Sequence, residues 1–252
     1  MRLLRSALVL LPILGPLLIG TAAKAEDTIK KIKDSGTLLV CIAEGPVAVR
    51  DPATGAWSGY NIDMANDLAR TLGVKLELVM QPYATTIPAL MTGKCDIAMT
   101  PLYRSSERAL VVAFTDLYST IADQIVVAQS SPVKTWEDLN NDGISIAEAA
   151  GTTQEAYVKQ AFPKAKLRSI VSDNTYAFIL EVAAGRADAA ITDRDTITRM
   201  AQNPQLKLRV LQPERSANPT GRAYAVRPDD WHFVNFLNVW LYNSKDKYQL
   251  IR

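Results

Sequence analysis

The stretch Ile87-Pro-Ala-Leu-Met-Thr-Gly-Lys-Cys-Asp-Ile-Ala-Met-Thr100 has a counterpart later in the chain, Ile179-Leu-Glu-Val-Ala-Ala-Gly-Arg-Ala-Asp-Ala-Ala-Ile-Thr-Asp193. Each reads as an apolar helix end, a glycine followed by a base, one residue, an aspartate and a short buried strand. Gly93 and Gly185 suit the left-handed residue that closes a helix, and Lys94 and Arg186 stand where the helix dipole favours a cation. The two glycines are 92 residues apart. A unit used twice predicts two α/β lobes, and ligands of open α/β sheets bind beyond the carboxyl ends of the strands. Those ends fall at Thr100 and Asp193.

Outward from the first unit, the pattern is βαβαβ. Thr28 to Ser35 reads as a helix closed by Gly36, and Leu38 to Ala43 as a buried strand. Asp51-Pro-Ala-Thr-Gly55 is a hairpin turn, Tyr60 to Leu72 an amphipathic helix ended by Gly73, and Lys75 to Val79 a strand. Crossover connections of this kind build a parallel sheet. Ile121 to Ala128 is a longer strand, after which the pattern restarts: strand 144–147, the turn Gly151-Thr-Thr153, a helix to Phe162, strand 167–170 and the second unit. Strands at 208–211 and 223–226 and a helix from Trp231 to Leu241 remain. A restart with elements left over predicts two crossings between lobes, near 121–128 and 213–223. The expected lobes are therefore 26–121 with 213–252, and 122–212.

Residues 1 to 25 read as an export leader: Arg2 and Arg5, an apolar run from Leu8 to Ile19, and the cleavage site Ala23-Lys24-Ala25. The apolar run is short for a bilayer span of about 20 residues. A mature chain cut after Ala25 would be periplasmic, and its net charge would change from +2 to −1, because the leader holds three bases and no acid. Near-neutral charge argues against nucleic acid or membrane surfaces as partners. Two cysteines and the single His232 show no metal-ligand spacing, so neither metal nor cofactor is expected. Cys41 and Cys95 fall on strands expected to be neighbours. An oxidising compartment permits a bridge between them, and two buried thiols fit the sequence equally well.

Six motifs in order, Ser58-Gly-Tyr-Asn-Ile-Asp63, Ile87-Pro-Ala-Leu90, Gly93-Lys-Cys-Asp96, Ser106-Glu-Arg108, Phe114-Thr-Asp-Leu-Tyr118 and Gly151-Thr-Thr-Gln-Glu155, resemble the bacterial extracellular solute-binding proteins of family 3. These are the polar amino-acid binders of ABC transporters. The similarity runs from about Gly36 to Leu241. It implies an α/β, two-lobed periplasmic binding fold of type II, closing over one free amino acid or related small zwitterion, in a monomer that delivers its ligand to an inner-membrane ABC permease.

The resemblance also implies roles. Arg108 would grip the ligand carboxylate with two parallel hydrogen bonds, a surface salt bridge to Glu107 or Asp116 being the structural alternative. Asp193 would take the ligand ammonium, or else cap a helix or pair with Arg194. Thr152 and Thr153, at a helix N-terminus, would offer hydroxyl and backbone donors, a role compatible with plain capping. Thr100, with Leu102 and Tyr103 just after it, would lie at the ligand. Tyr83 falls on a pocket-wall position, and Tyr103 stands where a small serine is common, so it either narrows the site or packs at its rim. The chain departs from the family after its first strand, reading Ala43-Glu-Gly-Pro-Val-Ala-Val49 where an aromatic-rich stretch is usual. Glu44 then either enters the cleft, favouring a cationic ligand, or faces solvent.

Two other readings belong to the same resemblance. Periplasmic cyclohexadienyl dehydratases are similar in Asp173-Asn174 and in Arg222-Ala-Tyr-Ala-Val-Arg-Pro-Asp229, but place a glutamate shortly after the strand-end aspartate, where this chain has Asp193-Arg-Asp-Thr196. Accessory proteins of quinoprotein dehydrogenase systems share a strand-one cysteine and a Cys-Asp pair, matched by Cys41 and Cys95-Asp96.

Overall fold

Apolar runs bounded by left-handed glycines translate directly into the elements of the computed structural model, which describes residues 27–250. The expected leader and its cleavage site lie outside the described residues. Helix α1 (Thr28–Ser35) is capped by Asp27, whose side chain accepts the Lys30 N–H, and ends at Gly36 with φ 68°. Strand β1 (Thr37–Ile42), the two-residue hairpin β2 (Val49–Arg50) and β3 (Trp57–Ser58), helix α2 (Tyr60–Leu72), β4 (Lys75–Met80), α3 (Tyr83–Met91) and β5 (Ile97–Tyr103) follow. Next come the single turn α4 (Ser106–Ala109), β6 (Ala113–Phe114) and the long strand β7 (Ser119–Ala128). The second series is β8 (Ser145–Ala149), α5 (Thr153–Ala161), β9 (Lys166–Ile170), α6 (Ala177–Ala183), β10 (Ala189–Asp193) and α7 (Arg194–Ala201). The chain then returns through β11 (Leu208–Leu211), β12 (Ala217–Val226) and α8 (Trp231–Tyr248). None of the described helices is long and apolar enough to cross a membrane.

Apart from the β2–β3 pair, the strands form one curled sheet in the order β4-β1-β5-β12-β7-β10-β8-β9, with β11 on β7 and β6 on β12. Its two wings are the parallel sets β4-β1-β5 and β10-β8-β9. Between them, β7 and β12 run antiparallel to one another and carry the chain from one wing to the other. Their pairing slips between Ala217 and Thr220, where Asn218 takes φ +50°. Buried apolar residues divide in the same way. One pair of clusters joins α1, α2, α3 and α8 to the first wing, and the other joins α5 and α6 to the second. The result is two lobes sharing a two-stranded centre.

The repeated unit has one physical purpose in both lobes. Gly93 and Gly185 have φ 74° and 69°. Asp96 donates its N–H to Leu39 O at 2.8 Å and accepts the Leu39 N–H on its carboxylate at 3.0 Å. Asp188 does the same to Ser145, at 2.8 and 2.7 Å. Each aspartate thus pins the incoming strand to the start of its parallel neighbour and sets the register. Lys31 pairs with the buried Asp96 carboxylate at 2.9 Å. Cys41 and Cys95 are joined in a disulfide, their Cα atoms 5.5 Å apart, which ties β1 to the entry of β5 inside the core. Of the two arrangements the sequence allowed, the bridge is the one found.

Beyond the short elements α4 and β6, which the sequence reading did not include, and the extension of β5 to Tyr103, three elements differ from it. Strand β12 begins at Ala217 rather than Ala223, because the bulge at Asn218 absorbs residues with poor strand propensity. Helix α8 runs on to Tyr248, and its polar last turns are held by Lys247 on Asp67 at 2.6 Å. Helix α7 was not expected. It starts directly at the end of β10 with no intervening loop, so its first turn reads as a continuation of the strand end.

Candidate functional site

The carboxyl ends of β5 and β10 face each other across a cavity of about 560 Å³, counted out to its open mouth. Tyr83, Leu102, Tyr103 and Arg108 line one side, and Thr152, Thr153 and Asp193 the other. Seven of the nine expected ligand residues therefore meet there. Thr100 and Glu44 are not part of this wall. Thr100 is buried at the sheet, its hydroxyl 3.5 Å from Cys41 O. Glu44 contributes its main-chain carbonyl, which accepts the Thr175 hydroxyl across the cleft, while Pro46 from the same loop lines the cavity.

Arg108 sits on the one-turn helix α4, whose N-cap Ser105 accepts the Arg108 N–H at 3.3 Å. Its guanidinium donates to Tyr103 O at 2.8 Å and, across the cleft, to Gly151 O at 2.8 Å. Among the described residues no carboxylate forms an ion pair with it, so the surface salt bridge to Glu107 or Asp116 is not what the structure holds. Burial pulls its pKa down from the ordinary arginine value. Held by two neutral carbonyls, the guanidinium keeps a charge that no carboxylate among the described residues balances by ion pairing.

On the facing side, the Thr152 hydroxyl caps α5, accepting the Glu155 N–H at 3.1 Å and donating to Ala149 O at 2.7 Å. The Glu155 carboxylate reaches back to accept the Gly151 N–H at 2.9 Å, one residue before the N–H that a capping box would use. Capping and cavity lining coexist at Thr152. Gly151 approaches the other lobe so closely that a Cβ there would lie 2.9 Å from Ala84 Cα, and its φ is +76°.

Asp193 caps α7, accepting the Thr196 N–H at 2.9 Å. Its ion partner is Arg222 at 3.3 Å rather than Arg194, and the Tyr103 hydroxyl lies 3.5 Å from the same carboxylate oxygen. Arg222 also holds Asp195 at 2.7 Å. Burial opposes the Arg222 charge, but Asp193 and the neighbouring groups win, and its pKa is raised. Asp193 therefore offers negative charge partly balanced from behind by a guanidinium that is itself shared. Burial, with Asp193 second, pushes both Tyr83 and Tyr103 hydroxyls well above the usual phenol range, so they act as neutral donors.

Sequence reasoning missed three groups. Glu148, 1% exposed, belongs to the cavity wall and accepts the Ile191 N–H at 2.6 Å, and burial raises its pKa well above the carboxylate range. Asp123, wholly buried, accepts from the Tyr103 hydroxyl, Gln154 and Asn218, yet burial still lifts its pKa to about 6. Arg222 is the third. Each is the one charged residue of its strand, and that charge was the available signal. No cluster of His, Cys, Asp and Glu suited to a metal ion occurs among the described residues.

Comparison with known proteins places this geometry. An ancestral amino-acid-binding protein, a precursor of cyclohexadienyl dehydratase, is 33% identical with a TM-score of 0.78, over 89% of this chain and 96% of that one. The arginine-bound form of truncated ArgBP from T. maritima is 32% identical with a TM-score of 0.77, over 85% and 99%. A glutamine-binding protein of Geobacillus stearothermophilus is 28% identical over 201 residues, 77% of this chain and 75% of its own length. A cyclohexadienyl dehydratase of Pseudomonas aeruginosa is 24% identical over 221 residues, 86% and 81%. These likenesses identify the architecture as the two-lobed type II periplasmic binding fold. Matched over residues 37–251, the chain belongs to the bacterial extracellular solute-binding proteins, family 3.

Proposed function

We propose that this protein captures a free amino acid or a related small zwitterion between its lobes and hands it to an inner-membrane ABC permease, without catalysing a reaction. The observation that carries this reading is the pairing of Arg108, a half-buried cation with no carboxylate partner among the described residues, with Asp193 on the opposite wall of one cavity. A ligand α-carboxylate satisfies the first and its α-ammonium the second. Because the two walls belong to different lobes, such a ligand stabilises the shut form over the open one. The amino acids named for the relatives, arginine and glutamine, support the ligand class. In this reading the lobes comprise residues 26–121 with 213–252, and 122–212, and the chain works as a periplasmic monomer after cleavage behind Ala25. A thermal-shift screen over the twenty amino acids tests it: a cognate ligand at 100 times its Kd raises stability by about 2.7 kcal/mol, and a flat response to all twenty would refute it.

A second reading, dehydratase activity, is favoured by one observation: Glu148 is a carboxyl in the cavity wall with its pKa raised by burial, the kind of group that acid-assisted dehydration requires. Asp195, the nearest match to the acid expected after the strand end, is instead drawn to Arg222. We expect prephenate or arogenate to remain unchanged on incubation. Turnover would replace the transport reading with the enzymatic one.

A further inference from the structure

Asp123 lies in β7, one of the two strands that join the lobes, and is the acidic interruption in the run Ile121-Ala-Asp-Gln-Ile-Val-Val-Ala128. It is wholly buried, and burying a carboxylate is costly unless its oxygens are well partnered. The partners come from three separate places. The Tyr103 hydroxyl, at the end of β5 in the first lobe, donates to Oδ1 at 3.2 Å. Gln154, in the first turn of α5 in the second lobe, donates through Nε2 to the same oxygen at 3.0 Å. Asn218, in the bulge of β12, donates through Nδ2 to Oδ2 at 3.0 Å. Hydroxyl and amide groups can both donate and accept, but three donations onto two oxygens need the acceptor-only carboxylate.

The surrounding charges make this placement deliberate rather than convenient. Asp193 stands opposite Asp123 in the β7–β10 pairing, and both Asp193 and Glu148 interact electrostatically with the group or its shell. Arg222, the nearby cation, is committed to Asp193 and Asp195. Asn218 takes φ +50°, a left-handed conformation that asparagine accommodates better than most side chains, in the position from which its amide reaches Oδ2. A strand centre that only needed to be filled would not keep an acid beside another acid, with an asparagine amide turned onto it.

We propose that Asp123 is a latch of the closed state: a positioning residue whose carboxylate ties Tyr103 of one lobe to Gln154 of the other across the hinge. The inference rests on the reading of the cleft as the ligand site, since Tyr103 and Gln154 both line it. The two donors share one acceptor oxygen but move with different lobes, so opening must break at least one of the bonds. The contact therefore exists in the shut form and not in the open one, and that difference is what allows it to bias the equilibrium. It also fixes where the tyrosine and glutamine side chains stand when a ligand arrives.

The test reads closure without any ligand. A Cβ built on Gly45 would lie 3.9 Å from Thr175 Oγ1 across the cleft, so the Gly45→Cys/Thr175→Cys pair can bridge only when the lobes are shut. The rate of disulfide formation in the ligand-free double variant then reports the closed population. Adding Asp123→Asn, which keeps the shape but points an amide at a donor, should slow bridging about tenfold, as expected for a lost hydrogen bond to charge. Tyr103→Phe should slow it as well, and the two changes together should slow it no more than Asp123→Asn alone, because they break the same contact. Tyr103→Phe also serves if Asp123→Asn does not fold. Unchanged bridging rates in folded variants, or fully additive effects, would overturn the latch. Acceleration of bridging by a mixture of the twenty amino acids tests the ligand reading separately, so failure of one is distinguishable from failure of the other.

Discussion

Replacing Arg108 by alanine removes the one cation that the cavity presents without a carboxylate counterion among the described residues. The loss has two parts. A charge-assisted contact to a ligand carboxylate, whose partner stays buried when truncated, is worth about 2 to 5 kcal/mol. The bond from the guanidinium to Gly151 O at 2.8 Å also links the lobes, so some closed-state stabilisation disappears with it. At about 1.4 kcal/mol per tenfold, affinity should fall by a factor between about 30 and several thousand. Arg108→Lys should recover little, since one ammonium cannot replace a planar fork that already spans Tyr103 O and Gly151 O. The fold should be unaffected, because α4 is a single turn with no buried residue of its own. The assay is titration calorimetry with a ligand found in the amino-acid screen, alongside a urea unfolding curve. An Arg108→Ala affinity within threefold of the wild type, in a folded protein, would refute the reasoning.

Other expectations follow from the same geometry. Free-thiol titration of the denatured, unreduced protein should find no reactive thiol, and reducing the Cys41–Cys95 bridge, with its sequence separation of 54, should cost about 4 kcal/mol by the loop-entropy estimate. Asp123, whose pKa is lifted to about 6 from an ordinary 3.8, binds its proton more readily folded than unfolded, so unfolding free energy should rise by about 1.4 kcal/mol as pH falls from 7.5 to 5. Glu148 shifts in the same direction and adds to that trend, and Asp123→Asn should flatten it in urea midpoints measured across the range. Gly151→Ala places a Cβ 2.9 Å from Ala84 Cα at a φ of +76°, so it should weaken ligand binding and leave the radius of gyration in X-ray scattering at its ligand-free value when ligand is added. A variant that contracts as the wild type does would show that the lobes need not approach so closely.

Much of the fold was legible because local rules and tertiary demands agree. Gly93 and Gly185 close helices, and Asp96 and Asp188 tie the next strand to its neighbour, so a repeated sequence really was a repeated device. The disulfide was legible only as an option, since spacing says nothing about geometry. Helix α7 was hidden because Asp193 ends a strand and caps a helix at the same residue. In the site, Arg108 and Asp193 were visible because their motifs are local. Asp123, Glu148 and Arg222 were not, because what each does depends on partners 20 to 95 residues distant in sequence, such as Tyr103 and Asn218 for Asp123 and Asp195 for Arg222. Glu44 was legible only as an alternative between cleft and solvent: its loop presents a main-chain carbonyl to Thr175 and Pro46 to the cavity, and its carboxylate acts electrostatically on Tyr176 of the cavity wall.

The central claim, that one cavity grips both ends of a zwitterion, is tested most directly by a crystal structure of the protein with the ligand from the amino-acid screen. The account predicts the α-carboxylate on the Arg108 guanidinium and the α-ammonium on the Asp193 carboxylate, with both lobes contributing to a single bound molecule. A ligand held by one lobe alone, or one whose carboxylate lies away from Arg108, would contradict it.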